Sequence, residues 1–94
     1  MRIVLDSGPV GLITNPKSSD EAVACRHWLN SRLRAGHEVV LPEIIDYEIR
    51  RELIRAKKRT GLVRLDELHD EITFLSLDRS ALLKAAEFWR RRRG

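Results

Sequence analysis

The spacing of apolar residues divides the chain into short strands separated by helices. Short, mostly apolar runs rich in β-branched residues predict buried strands at 2–5, 38–41 and 72–77. Apolar residues repeated every three or four positions predict helices at 9–14, 19–34, 43–58 and 62–69, and a last helix after Asp78. Strands that alternate with helices in this way are typical of an α/β fold.

The predicted order βααβααβα also indicates how the strands are arranged. Helical crossovers join parallel strands, and such crossovers are right-handed in nearly all proteins. We therefore expect a three-layer α/β/α fold, in which a short parallel sheet lies between helices on both faces. No linker or repeat divides the sequence, so residues 1–94 are expected to form one domain.

Local signals predict where the helices begin and end. Ser18 and Glu21 have the spacing of a capping box for the second helix, and Gly36 stands where a left-handed residue would end it. Pro42 predicts the start of the third helix. The Thr-Gly pair at 60–61 predicts its end.

Composition narrows the class of protein. The chain has 94 residues, of which 43% are hydrophobic and 34% charged, which favours a soluble globular domain over a disordered one. Asp6 interrupts the apolar start, and no run is long enough to span a membrane. Cys25 is the single cysteine, which excludes an intrachain disulfide and agrees with a cytoplasmic location.

Positive charge is concentrated in one part of the chain. The net charge is +4, and Glu52 is the only acid before Arg64 in a strongly basic stretch that begins at residue 50. The residues predicted to contact a polyanion such as nucleic acid are Arg50, Arg51, Arg55, Lys57, Lys58 and Arg59. A solvated helix face is the alternative interpretation of the same residues.

Two acids, Asp6 and Glu48, are candidates for chemistry. Sites in open parallel sheets gather beyond the carboxyl ends of the strands, where Asp6 ends the first strand and Glu48 follows the second. A divalent cation such as Mg²⁺ or Mn²⁺ would relieve the repulsion between two converging carboxylates. In the alternative interpretation, Asp6 caps the following helix and Glu48 pairs with neighbours such as Arg51 or Arg55.

At this point the sequence resembles a known family. The stretch IVLDS at 3–7 resembles the opening strand of PIN domains, the fold of VapC-like toxins, in which an aspartate and then a small hydroxyl residue follow the strand. LPEIIDYEIRREL at 41–53 resembles the family's second motif, whose glutamate falls on Glu48. Residues 74–78 and 85–89 are similar to its third strand and next helix.

The resemblance implies a metal-dependent endoribonuclease, which could be the toxin of a toxin–antitoxin pair with an antitoxin protein as partner. Asp6 and Glu48 would be catalytic and would bind Mg²⁺ or Mn²⁺, and Ser7 would assist by contacting the phosphate or a water on the metal. Gly8 and Pro9 depart from the family, which commonly has a polar side chain at the position after the hydroxyl residue.

A second departure concerns the family's later acids, which follow the last predicted helix. The sequence ends at Gly94 before any matching position, so the domain is expected to be incomplete, and with it the acidic site. The alternative function is a catalytically inactive PIN-like module that binds nucleic acid or protein. In an incomplete domain the strand at 2–5 lies at a sheet edge, which we expect a second copy of the chain or a separate polypeptide to cover.

Overall fold

The computed structural model describes residues 1–76, 78–80, 83, 86 and 87. Its strands are β1 (Arg2–Val4), β2 (Glu38–Pro42) and β3 (Thr73–Leu75). Its helices are α1 (Ser7–Thr14), α2 (Asp20–Arg34), α3 (Glu43–Arg55) and α4 (Arg59–Glu71). The predicted α/β class and the order of these elements are confirmed. The helix predicted after Asp78 lies largely outside the described residues, although positions 79, 80, 83, 86 and 87 are helical.

The three strands form a parallel sheet in the order β1-β2-β3. Val4 lies opposite Val40, which in turn lies opposite Thr73, so the central strand pairs on both sides. Val39, Val40 and Leu41 are all buried, as a continuous apolar run in a central parallel strand requires. The prediction of parallel strands joined by helical crossovers is therefore confirmed.

One face of the sheet carries the hydrophobic core. Ile3, Leu5, Val39, Leu41 and Phe74 alternate onto this face and join one cluster with apolar residues of all four helices. The buried helical members of this cluster are Val10, Ile13, Leu29, Leu53, Leu65 and Leu68. Because β1, β2 and β3 advance across the sheet in one direction, right-handed crossovers place α1 to α4 on the same face. The second helical layer expected of a three-layer fold is therefore not formed by α1 to α4.

The edge of the sheet at β1 is partly open. Within the described residues β1 pairs with β2 alone, as predicted for an edge strand. Val4 on the second face is 59% exposed, whereas Val40 beside it is 2% exposed. What covers this edge stays a prediction.

Among the described helices, none combines the length and the apolar character needed to cross a membrane.

The second helix begins one residue later than its predicted capping box. Ser19, not Ser18, is the N-cap, and its Oγ accepts a hydrogen bond from the amide of Ala22 at 3.1 Å. The prediction of Ser18 is wrong because two adjacent serines offer the same side chain and only the backbone decides between them. At the other end Gly36 has φ 83°, which confirms the predicted left-handed residue.

The third helix ends three residues earlier than predicted. Lys57 adopts a left-handed conformation with φ 56°. Its amide donates to the carbonyl of Ile54 at 3.1 Å, and the amide of Lys58 donates to the carbonyl of Leu53 at 2.9 Å. This is a Schellman motif, which closes a helix by satisfying its last carbonyls. The chain then enters α4 at Arg59, so the predicted Thr-Gly stop lies inside a helix.

Candidate functional site

Asp6 lies at the carboxyl end of β1, where the strand gives way to α1. The amide of Leu5 still donates to the carbonyl of Val40 at 2.9 Å, which carries the sheet up to this point. Asp6 is the N-cap of α1, and its Oδ1 accepts from the amide of Gly8 at 3.1 Å. The capping bond uses one carboxylate oxygen, and the residue as a whole is exposed. Capping therefore leaves the side chain at the edge of the sheet where ligands bind in such folds.

Ser7 is the first residue of α1 and is exposed. The helix begins here rather than at Pro9, the predicted start, because Asp6 already satisfies an amide of the first turn. Neither Gly8 nor Pro9 has a side chain that could bind a ligand through a polar atom. Ser7 is thus the hydroxyl nearest to Asp6 along the chain, at the end of α1 that carries partial positive charge.

Glu48 lies on an exposed flank of α3. Ile45, Ile49 and Leu53 follow one another at helical spacing and face the core. Asp46 and Arg50 lie on the flank that faces α4. Glu48 lies two residues from both Asp46 and Arg50. Because an α-helix has 3.6 residues per turn, this spacing puts Glu48 on the opposite flank.

The flank that carries Glu48 faces α1. A Cβ added at Gly11 would lie 3.9 Å from Cδ1 of Ile49, so the two helices are in contact there. Further along, Thr14 of α1 and Glu52 of α3 line a shared groove of about 160 Å³. Gly11 lies beside Ile49, and Thr14 lies beside Glu52 about one turn later. The two helices therefore run in the same direction.

This register bears on the two predicted acids. Glu48 is one turn before Glu52, so it lies level with the earlier part of α1. Asp6 precedes Gly11 by about 8 Å along the axis of α1 at the usual rise of an α-helix. Both acids therefore come from touching elements at the carboxyl end of β1 and β2. Within the described part of the chain, no three His, Cys, Asp or Glu side chains form a group that could hold a metal.

Arg50, one of the residues predicted to bind nucleic acid, is engaged inside the protein. Its Nε and Nη2 donate to both oxygens of Asp46 at 3.2 and 3.1 Å, and Nη2 also contacts Asp66 of α4 at 2.9 Å. The pKa of Arg50 is raised, mainly by the hydrogen bond to Asp46, and burial of the side chain opposes this rise. This guanidinium fastens α3 to α4.

The other basic residues predicted to bind nucleic acid surround the turn between α3 and α4. Arg55 pairs with Glu52 at 2.7 Å, but its side chain is 77% exposed, so the pair is open to solvent. We call the following exposed residues the basic turn: Arg51, Arg55, Lys57, Lys58 and Arg59. All five are exposed and lie within nine residues of one another, around the turn between α3 and α4.

Two further arginines were missed by the sequence analysis. Arg26 of α2 and Arg64 of α4 both donate to the carbonyl oxygen of Asn15, the C-cap of α1. They line a cleft of about 270 Å³ between α2 and α4. Cations at this position complement the partial negative charge of the helix end. Arg64 belongs to the basic stretch in the sequence, but no local signal indicates a contact with residue 15.

Comparison with known proteins identifies the family of the chain. The sequence profile of the PIN domain family matches residues 3–94, so the chain belongs to that family. Proteins of this family are generally nucleases and typically use divalent metal ions. No curated protein and no solved structure matches the chain significantly.

Proposed function

We propose that this PIN domain chain is a metal-dependent endoribonuclease, in which Asp6 and Glu48 bind Mg²⁺ or Mn²⁺ and act as the catalytic acids. The observation that carries the proposal is the contact of Gly11 with Ile49, which sets α1 beside α3 with both helices starting at the same edge of the sheet. Acids that are 42 positions apart in the sequence thereby belong to neighbouring surfaces.

The donor set fits such an ion. Mg²⁺ commonly binds through one or two carboxylates, keeps several waters and takes further ligands from substrate phosphates. Asp6 and Glu48 are both exposed, so waters and a phosphate can reach them. When bound, a divalent ion lowers the pKa of water and stabilises negative charge on the phosphate.

The remaining residues of the site act on the RNA. The Ser7 hydroxyl donates to a phosphate oxygen at the start of α1, where the helix dipole also favours an anion. The basic turn holds the RNA strand through its phosphates, so binding weakens steeply with added salt. Arg50 supports this surface indirectly, because its bonds to Asp46 and Asp66 fix α3 against α4.

The experiment compares two charge-removing variants with a matched control. Asp6→Asn keeps an N-cap side chain, since Asn caps helices as well as Asp does. Glu48→Gln and the control Glu52→Gln remove the same charge one turn apart on α3. We expect Mn²⁺ to raise the Tm of the wild type and of Glu52→Gln and to support cleavage of a fluorescent single-stranded RNA, whereas Asp6→Asn and Glu48→Gln lose both effects. An unchanged Mn²⁺ response in Asp6→Asn would contradict the assignment.

We also propose a biological setting. By resemblance, the chain is the cytoplasmic toxin of a toxin–antitoxin pair. A second copy of the chain, or a separate polypeptide such as an antitoxin, covers the exposed edge at β1. Induced expression of the wild type should then arrest growth, and Asp6→Asn should not. Equal growth arrest by the two proteins would show that toxicity does not depend on Asp6.

A second function is favoured by the small number of acids at the site. Only Asp6 and Glu48 of the described residues are candidates there, while the basic turn is well exposed. A catalytically inactive module that binds nucleic acid or protein would use the basic turn without metal. RNA binding that persists in EDTA, falls steeply with salt and is unchanged in Asp6→Asn would favour this function over the nuclease.

A further inference from the structure

The groove between α1 and α3 connects two surfaces of the proposed RNA site. It has a volume of about 160 Å³, and its apolar lining comes from Gly11, Ile49, Leu53 and Pro16. Lys58, a member of the basic turn, also lines it. The groove therefore leads from the middle of α1, beyond the candidate metal site, to the basic turn.

Gly11 keeps this groove open, although the fold does not require a glycine there. Of the glycines in the part of the chain that the structure describes, Gly36 alone has a positive φ, so the backbone at position 11 suits any L-residue. A Cβ at position 11 would meet Cδ1 of Ile49 at 3.9 Å, an ordinary van der Waals contact. Glycine inside a helix is less stable than alanine. A residue that lowers stability without a structural need is one that function can explain.

The charges around the groove favour an occupant with anionic groups on either side of an apolar part. Ser7, where a phosphate is proposed to bind, is one turn before Gly11 on the same face of α1, about 6 Å away along the helix axis. Lys58 supplies a cation at the basic turn. Glu52 is the single acid that lines the groove, and its pairing with Arg55 at 2.7 Å offsets its charge.

A short stretch of single-stranded RNA has this pattern, because phosphates flank each flat base. The groove is smaller than the roughly 300–1,000 Å³ of pockets for drug-sized ligands, which suits one ring system. Proteins hold unstacked bases between aromatic or apolar side chains. Bases in a double helix are paired and stacked, whereas those of a single strand are free to enter such a groove.

We propose that the groove between α1 and α3 is a base-binding subsite, which takes one nucleobase of a single-stranded RNA beside the phosphate bound at Ser7. Gly11 sets the depth of the subsite, and Lys58 binds a phosphate of the same strand. The proposal rests on the proposed function in taking RNA as the ligand. It adds that the substrate is single-stranded and that a base, not only the phosphates, contributes to binding.

A graded series at position 11 tests the subsite. Fluorescence anisotropy in EDTA measures the Kd for a labelled single-stranded RNA, and urea denaturation measures stability. Neither Gly11→Ala nor Gly11→Leu should be less stable than the wild type, because both residues favour a helix and the groove has room for them. The Kd should rise with the size of the side chain, by about tenfold for leucine. The control Ala24→Leu adds the same side chain at an exposed position of α2 and should leave the Kd unchanged.

An abasic oligonucleotide of the same length separates the base from the phosphates. It carries the same charges, so the wild type and Gly11→Leu should bind it equally. A double-mutant cycle then tests whether base and phosphate are held together. Lys58→Met should weaken RNA binding less in the Gly11→Leu background than in the wild type, whereas the losses from Lys57→Met and Gly11→Leu should add.

Two results would overturn the subsite. One is a Gly11→Leu protein that binds single-stranded RNA as tightly as the wild type, as expected if the groove takes a polypeptide segment instead. The other is an equal loss of affinity for the abasic strand. Neither measurement depends on cleavage. If Gly11→Leu weakens RNA binding as expected but the wild type does not cleave RNA with Mn²⁺, the nuclease function fails and the subsite stands. A wild type without affinity for RNA would overturn both.

Discussion

Gly61 of α4 lies so close to Leu53 of α3 that a Cβ at position 61 would be 2.5 Å from Cδ2 of Leu53. The same Cβ would be 3.3 Å from the carbonyl oxygen of Thr14, the last residue of α1. Position 61 is therefore a point of close approach between α1, α3 and α4. The register of α1 against α3, on which the candidate metal site depends, is supported from this side by a glycine.

Gly61→Ala should destabilise the fold. Leu53 is buried, and Thr14 contributes a backbone oxygen that cannot move without shifting α1. Overpacking of this kind costs about 1–3 kcal/mol, and the better helix propensity of Ala returns up to about 1 kcal/mol. We expect a net loss of about 1–2 kcal/mol in urea denaturation. The control Thr60→Ala, one residue earlier and exposed, should not destabilise, and a Gly61→Ala protein as stable as wild type would contradict the close approach.

Lys57→Gly should stabilise the fold by about 0.5–1 kcal/mol. Lys57 has φ 56° at the end of α3, a conformation that costs an L-residue free energy and that glycine adopts readily. Lys57→Ala is the control, because it removes the same charge and keeps the Cβ. Thermal unfolding should therefore rank Gly above Lys, with Ala no better than Lys. A destabilised glycine variant would mean that the turn does not strain its backbone.

Ser19→Ala should cost about 1 kcal/mol, and Ser18→Ala should cost little. The reason is that only Ser19 accepts a hydrogen bond from the first turn of α2. Chemical denaturation of the two variants side by side separates them. Equal losses of stability, or a larger loss at position 18, would favour Ser18 as the N-cap, as the sequence alone predicts.

The sequence predicted the elements of the fold better than their ends. Strands and helices depend on apolar periodicity, which a single sequence contains, whereas the end of α3 depends on Lys57 taking a conformation that favours glycine. Gly61 shows the opposite error: it was interpreted as a helix stop, but it is needed for close packing against Leu53. Both errors arise because tertiary contacts override local preference.

The candidate site likewise contains residues that could be located from the sequence and residues whose role could not be predicted. Asp6 could be located from its position after an apolar strand, and its capping role was foreseen as an alternative. The role of Arg50 could not be predicted, because Asp66, which binds it from α4, is 16 positions away and is exposed on a separate helix. Charge in a sequence shows how many arginines are available, but not which of them the fold uses internally.

Cys25 should react slowly with alkylating reagents in the folded protein. Burial raises the pKa of its thiol, opposed in part by Arg26, and Sγ donates to the carbonyl of Pro9 at 3.7 Å. The alkylation rate with iodoacetamide should therefore reach its midpoint at a higher pH in the folded protein than in urea.

The same shift links stability to alkaline pH. Because the folded pKa of Cys25 lies above the unfolded value, its contribution to stability is complete below the unfolded pKa and is lost as the pH rises through the folded pKa. The free energy of unfolding should fall over this alkaline range in the wild type, and the fall should be smaller in Cys25→Ala. Urea titrations at several pH values measure the difference. Parallel pH profiles for the two proteins would show that the thiol has the same pKa in both states, and the packing of Cys25 against the start of α1 would then be looser than the contact with Pro9 indicates.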